Sequence, residues 1–429
     1  MGKIFLFWAP LAATWLMMAS EGPVLTAVIA RLENPEHNLA AWGVAFAVAI
    51  LVESPIIMIM SASTALVGDR DSFEKLRNFT YIANALITIF MVVLLATPTF
   101  DFVATGLIGL PRDIADLTHG ALVIFLPWPG AIGYRRFYQG LLIRDNKTRR
   151  VAMGTIVRVT TMGSVALLFY FYFSLPGAYV GAAALSAGVV LEGIASRIMA
   201  WGTVRRLLRG DCVRTSAEPL TYRGILRFYW PLAMTSILAL GVHPTITFFV
   251  GHSRLALESL AVIPVVNGLS FIFRAMGLSF QEVGIALMGD DHEHYKELRN
   301  FAILLGLAST ACLGIIAFTP LSRIWYEQVS GLSPALIALA FIPTCIQAGV
   351  PLLEVLLSFQ RAVLVKAGST APITWATLTE VIVIIGVLLL AINVADWIGA
   401  TAAALAILVG HLASNLYLIP ARLSNAKSE

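Results

Sequence analysis

Glu21, Glu53, Arg158, Glu192, Arg197, Arg274, Glu282, Glu354 and Glu380, together with His243 and His411, each stand inside a stretch of sequence that is otherwise apolar. An ionised side chain at the centre of a bilayer costs about 2.5–3.5 kcal/mol on insertion scales, so such residues are kept for a protein interior or a wet cavity. Three uses are open to them there. A guanidinium can receive an anionic group. A carboxylate or imidazole in an apolar surround can exchange a proton. An acid and a base can form a buried pair, which contributes little net stability but is costly to break. Enzyme chemistry is not among the expectations, because the chain has no Walker lysine motif, no His-Glu-x-x-His and no nucleophile elbow. Cys212, Cys312 and Cys345 are scattered and read as packing or loop thiols, so neither a metal site nor a cofactor is expected.

The elements that must carry these charges follow from composition. The chain has 429 residues, 58% of them hydrophobic and 13% charged, with a mean hydropathy of +0.83. A soluble domain is about 45–50% apolar and about a quarter charged. The contrast excludes a soluble enzyme, a disordered chain and a disulfide-rich secreted domain. It also excludes an outer-membrane barrel, whose strands alternate. What remains is an all-α polytopic membrane protein. Cutting the apolar runs at about 20 residues per crossing gives about twelve spans. The first lies near 5–30, the fourth near 119–141 and the last near 397–420; the fourth is interrupted by Pro127 and Pro129. The first run continues to about Ala30, which is too long for a cleaved leader.

Basic residues crowd alternate loops, among them Arg70, Lys75, Arg144, Lys147, Arg205, Arg206, Arg209, Lys296 and Lys366, while the opposite loops hold only Arg31, Arg112, Arg254 and Arg323. Under the positive-inside rule both termini are cytoplasmic, in the plasma (inner) membrane. The net charge of +4 belongs to this bias and carries no expectation of nucleic acid.

The two halves repeat. Phe7-Trp8-Ala9-Pro10-Leu11-Ala12 returns as Phe228-Tyr229-Trp230-Pro231-Leu232-Ala233, and Leu76-Arg77-Asn78-Phe79 as Leu298-Arg299-Asn300-Phe301. Pro23 returns as Pro244, Gln139 as Gln360 and Ala195-Ser196 as Ala413-Ser414, at a steady offset of about 220 residues. Six spans per copy is an even number, so both copies enter the membrane in the same direction, as in parallel-repeat transporters. The expected organisation is a six-helix lobe over 1–204, a basic cytoplasmic linker over 205–223 and a second six-helix lobe over 224–429. The major facilitator fold has the same span count, but Gly68-Asp69-Arg70-Asp71-Ser72-Phe73-Glu74-Lys75-Leu76-Arg77 does not match its loop motif in spacing.

The Pro-Leu near the start of spans one and seven, the bent first helix of each lobe and Tyr138-Gln139-Gly140-Leu141-Leu142-Ile143-Arg144 before a basic loop resemble the multidrug, oligosaccharidyl-lipid and polysaccharide (MOP) exporter superfamily, with a MATE-like arrangement. Ala41-Trp42-Gly43-Val44-Ala45-Phe46 and the Phe-x-x-Pro-Leu-Ala opening of the second lobe are similar to the progressive ankylosis family. The resemblance implies a secondary-active exporter working by alternating access, driven by an ion gradient or by exchange (antiport). The embedded arginines favour a small organic or amphipathic anion as substrate. A lipid-linked oligosaccharide or lipid flippase and a multidrug cation antiporter of the same fold are the alternatives. The partners expected are that substrate, membrane lipids and H+ or Na+; the chain is expected to act as a monomer without nucleic acid.

Overlaying the copies sharpens the site. Glu53 falls on Arg274 and Arg158 on Glu380, acid on base in both cases. Glu53 with Arg274 is expected at the lobe interface, and Arg158 with Glu380 as a second pair. Glu192, Arg197 and His243 complete the candidate substrate site. Glu21 and Glu53 are the candidate coupling carboxylates. Pro23 and Pro244 are candidate hinges, since proline removes a backbone donor and bends a helix. Glu282 and Glu354 are expected near the cytoplasmic ends of their spans, within reach of the interface.

Overall fold

The computed structural model describes residues 2–96, 98–145, 147–210, 220–288, 293–367, 369 and 371–427, with side chains described to residue 420. Among the described residues, 11 helices are long and apolar enough to cross a membrane. The chain is an integral membrane protein. The twelfth expected crossing is the fourth, which is two helices, Arg112–Ile124 and Pro127–Arg144. Pro127 and Pro129 suit the first turn of a new helix and not the interior of an old one, so the span breaks there. Its second piece carries Arg135, Arg136 and Arg144, which take it outside an apolar-span criterion. In the second copy the equivalent Pro334–Gln347 and Val350–Lys366 form an apolar crossing, with a break at Ala348-Gly349.

The first span of each half is broken at equivalent points. Gly2–Ala19 and Glu21–Ile29 meet at Ser20, while Tyr222–Leu240 and Val242–Gly251 meet at Gly241. Pro23 and Pro244 are each the third residue of the second segment, where a missing N–H removes no intrahelical bond. Each break falls three residues before the proline at which a hinge is expected.

The chain packs as two compact units, one of residues 1–43 with 245–429 and the other of residues 44–244. These are not the halves of the repeat, 1–204 and 224–429. The opening helix of each half packs among helices of the other. In the first unit Trp8 donates to the Ser279 hydroxyl at 2.8 Å and meets Phe301 edge-on at 5.9 Å. In the second unit Tyr229 donates to the Pro55 carbonyl and meets Phe79 edge-on at 5.3 Å. Trp8 and Tyr229 are repeat equivalents, and so are Phe79 and Phe301, so the exchange is reciprocal and uses the same contact twice.

Of the expected linker, residues 211–219 lie outside the described residues. Before them, Arg205, Arg206 and Arg209 belong to the amphipathic helix Trp201–Arg209, which ends at Gly210 with a φ of 79°. That left-handed cap is readily adopted by glycine. The helix is tied to the preceding loop by Asp145, whose carboxylate accepts from Thr203 at 2.6 Å, from Lys147 at 2.5 Å and from Arg206. Burial alone would raise the Asp145 carboxyl, but the hydrogen bonds of Lys147 and Thr203 and the charges of Lys147 and Arg206 hold it below the ordinary range.

Candidate functional site

Within residues 44–244 the embedded charges gather around Glu192. The helix Gly177–Met199 approaches Thr148–Tyr172 closely through small residues: a Cβ on Gly188 would stand 3.0 Å from the Arg158 carbonyl, and one on Gly154 would stand 3.5 Å from the Glu192 side chain. Glycine at these positions lets the two backbones come together, and Arg158 is thereby brought to Glu192, with Nε 3.6 Å from Oε2. The same Oε2 accepts from Arg135, and Oε1 accepts from Gln139 at 3.0 Å. Arg135 and Gln139 lie one turn apart on Pro127–Arg144, so both face one carboxylate. Glu192 is 1% exposed, Arg135 4% and Arg158 6%, which makes this a dry cluster.

Glu53, at the end of helix Pro35–Glu53, is also buried and accepts from the Trp128 indole. It lies within electrostatic reach of Arg135, Arg136 and Arg158. Arg136 meets only the Met60 sulfur, at 3.6 Å, and its buried Nε has no hydrogen-bond partner among the described residues. Arg197 lies between two rings, 5.0 Å from the Tyr138 centroid and 5.3 Å from that of Trp201, and its buried Nη1 is likewise unpartnered. Among the described residues of this unit, Arg135 and Arg158 are buried and Arg136 and Arg197 half-buried, and the buried acids are Glu53 and Glu192. The unit therefore embeds more positive than negative charge, with donors left over on Arg136 and Arg197.

The unit of residues 1–43 and 245–429 has a second cluster of opposite balance. A Cβ on Gly277 would stand 2.8 Å from the Val355 nitrogen, so the helices Ala256–Leu287 and Val350–Lys366 touch backbone to backbone there. That contact sets Arg274 against Glu354, with Nε and Nη2 donating to Oε2 at 3.0 and 2.8 Å. His411 joins them: Nε2 is 3.3 Å from Glu354 Oε2 and 3.2 Å from Arg274 Nη2. Its Nδ1 is 3.0 Å from the Ile407 carbonyl and 3.2 Å from Glu380 Oε1. A turn beyond, Gln360 donates to Asn415 at 2.8 Å and Asn415 donates to the Leu353 carbonyl at 3.0 Å.

The pairing expected from the repeat overlay is not the pairing found. Glu53 is bonded to Trp128 where Arg274 was expected, and Arg274 to Glu354. Arg158 stands against Glu192 and Glu380 against His411, where the two were expected to pair with each other. The reason is steric: each charge meets an oppositely charged or polar group on a helix packed beside it in its own unit. Glu354 was expected to reach the membrane interface; it is 3% exposed and its Oε2 is held by Arg274 and His411, whereas Glu282 is exposed. Glu21 is buried at the break of the first bent helix, and His243 is exposed at the break of its equivalent. Pro23 packs against Gly268, where a Cβ would come within 3.3 Å of its ring.

Several members of the clusters were absent from the expected site. Arg135 and Arg136 lie in the span that Pro127 and Pro129 interrupt, and Trp128 carries no signal of its own in the sequence. Gln139 and Gln360 did carry one, since they are repeat equivalents, and each reaches from its helix to the last long helix of its half.

No protein-family model matches the sequence, and no curated protein matches it. Solved structures do share its fold. An inward-facing multidrug resistance MATE family transporter of the MOP superfamily superposes with a TM-score of 0.74 at 14% identity, over 96% of this chain and 94% of that one. Lipid II flippase MurJ in its inward closed conformation superposes with a TM-score of 0.71 at 12% identity, over 98% and 90%. A MOP superfamily transporter from Pyrococcus furiosus, for which reverse polarity of the binding pocket suggested a different function, gives 0.67 at 15% identity, over 98% and 95%. The MATE-like fold expected from the resemblance is the fold of this chain.

Proposed function

We propose that this protein is a secondary-active exporter that works by alternating access and carries a small organic or amphipathic anion. One observation carries the anionic preference: among its described residues the unit of residues 44–244 embeds four arginines, Arg135 and Arg158 buried and Arg136 and Arg197 half-buried, beside two buried acids, Glu53 and Glu192, and the buried Arg136 Nε and Arg197 Nη1 are unpartnered. A buried N–H without a partner is costly, and an anionic ligand that accepts from it recovers that cost on binding. The likeness to MOP transporters supports the carrier reading. Gly22-Pro23 and Gly241 with Pro244 give each half a break at which its first helix can re-angle.

The test is uptake into proteoliposomes under an imposed pH or sodium gradient, using matched panels of radiolabelled organic anions and organic cations. Saturable uptake of anions, competed by other anions and not by cations, is the expected result. Saturable uptake confined to cations would overturn the anionic reading in favour of drug antiport. The likeness to the lipid II flippase supports a second reading, in which the anion is a lipid-linked phosphate. Leaflet exchange of such a lipid with no uptake of water-soluble anions would favour it.

The orientation carries its own expectation. With both termini inside, single cysteines at Asn34 and Glu327 are labelled by an impermeant reagent applied from outside, while those at Lys147 and Glu297 are not. The reverse pattern would invert the topology.

A further inference from the structure

We infer that His411 is a proton-binding site, at which one proton decides whether Nε2 accepts from Arg274 or donates to Glu354. Nδ1 faces two acceptors, the Ile407 carbonyl at 3.0 Å and Glu380 Oε1 at 3.2 Å, so it carries a hydrogen in either state. Nε2 faces one donor and one acceptor, Arg274 Nη2 at 3.2 Å and Glu354 Oε2 at 3.3 Å. A neutral imidazole offers Arg274 a lone pair there. A protonated one offers Glu354 a hydrogen and withdraws the lone pair from Arg274, whose Nε and Nη2 then have Glu354 alone. Each ring nitrogen thus has a partner in both states, and only at Nε2 does the partner change.

The charge count favours the same use. Arg274, Glu354 and Glu380 sum to one negative charge, which protonated His411 cancels. The His411 helix packs against Ala256–Leu287, Val350–Lys366, Pro334–Gln347, Ala371–Leu388 and Leu389–Val394. From these elements the groups that face it are Arg274, Glu354 and Glu380. Arg361 lies two turns beyond Glu354 and acts on it only through its charge. Glu282 lies two turns beyond Arg274, and Lys366 lies at the far end of its helix. Pro334–Gln347 contributes only Cys345, whose thiol donates to the Ala317 carbonyl at 3.6 Å, and Leu389–Val394 has no titratable residue. A metal cation would meet the Arg274 guanidinium already seated at Glu354, whereas a proton needs no room. Histidine is the side chain that ordinarily changes charge between about pH 5 and 8.

The use of this site for coupling rests on the transporter reading; the proton site itself does not, and its test transports nothing. The full chain carrying 15N-labelled histidine is observed by NMR from about pH 5 to 8. One of its 7 imidazoles, lost in His411→Gln, is expected to be the Nδ1–H tautomer at the alkaline end and doubly protonated at the acidic end. If His411→Gln does not fold, replacing the other histidines one at a time assigns the signal by elimination. A His411 signal of one form throughout, or a neutral form with its hydrogen on Nε2, overturns the inference. So does a titration that moves when potassium is exchanged for sodium. Each of these outcomes leaves anion uptake, measured separately, to stand or fall alone.

Discussion

Glu192→Gln is expected to lose about 3–5 kcal/mol of stability, the usual cost of removing one partner from a buried ion pair. The carboxylate is 1% exposed, accepts from Arg135 and Gln139, and lies 3.6 Å from Arg158. Glutamine keeps the shape and removes the charge, so the guanidiniums of Arg135 and Arg158 are left without it in a dry interior. A native state is only about 5–15 kcal/mol more stable than its unfolded ensemble, so the loss is a large share of the whole. Thermal unfolding in detergent measures it. Glu192→Gln combined with Arg158→Gln is expected to recover part of the loss, because one of the stranded charges goes as well. A single variant that unfolds within about 0.5 kcal/mol of the parent, the range of an ordinary surface change, would mean that water or lipid headgroups already reach the cluster.

Arg136→Gln is expected to do the opposite to stability and more to transport. Arg136 has the Met60 sulfur as its hydrogen-bond partner and a buried, unpartnered Nε. Removing it takes away a cation that, among the described residues, no carboxylate bonds directly, so the unfolding temperature stays level or rises. If that guanidinium is held for the substrate, its loss costs a charge-assisted hydrogen bond of about 1.5–3 kcal/mol, which is roughly 10- to 100-fold in apparent affinity. Stability bought by lost function is the usual signature of a residue kept for a ligand. Initial uptake rates across substrate concentration, beside thermal unfolding of the same preparation, separate the two effects. Unchanged uptake kinetics would remove Arg136 from the site.

The residues that matter were largely visible in the sequence, and their partners were not. Hydropathy alone set Arg158, Glu192, Arg274, Glu380 and His411 inside the membrane, because their flanks leave no other place for them. The repeat located both helix breaks, since Pro23 and Pro244 occupy equivalent positions. The repeat overlay also suggested Glu53 with Arg274; equivalence relates two positions by symmetry and says nothing of proximity, and each of the two has a partner within its own unit. The glycines that decide proximity, Gly154, Gly188 and Gly277, look like any other small residue of a membrane helix until the opposite backbone is seen. Arg135 and Arg136 were obscured by Pro127 and Pro129, which made the end of a span and its middle indistinguishable by hydropathy.

The exchanged opening helix bears on how the chain is made. Trp8 and its hydrogen-bond partner Ser279 are 271 residues apart. At roughly 5–20 residues per second of synthesis, the helix Gly2–Ala19 is complete on the order of 10–60 s before the residues it packs on exist. It has little to protect in that interval: only Ile4, Ala12 and Ala19 of that helix are buried in the finished protein. The rest of its surface is already suited to lipid, so an unpaired wait in the bilayer exposes almost nothing that aggregation could use. Tyr229 faces no such delay, because Pro55 and Phe79 have left the ribosome before it. The two halves, alike in sequence and in contact, are therefore assembled in opposite order, and a nascent chain from which residue 250 but not yet residue 279 has emerged would hold one of its two exchanged helices docked and the other still waiting.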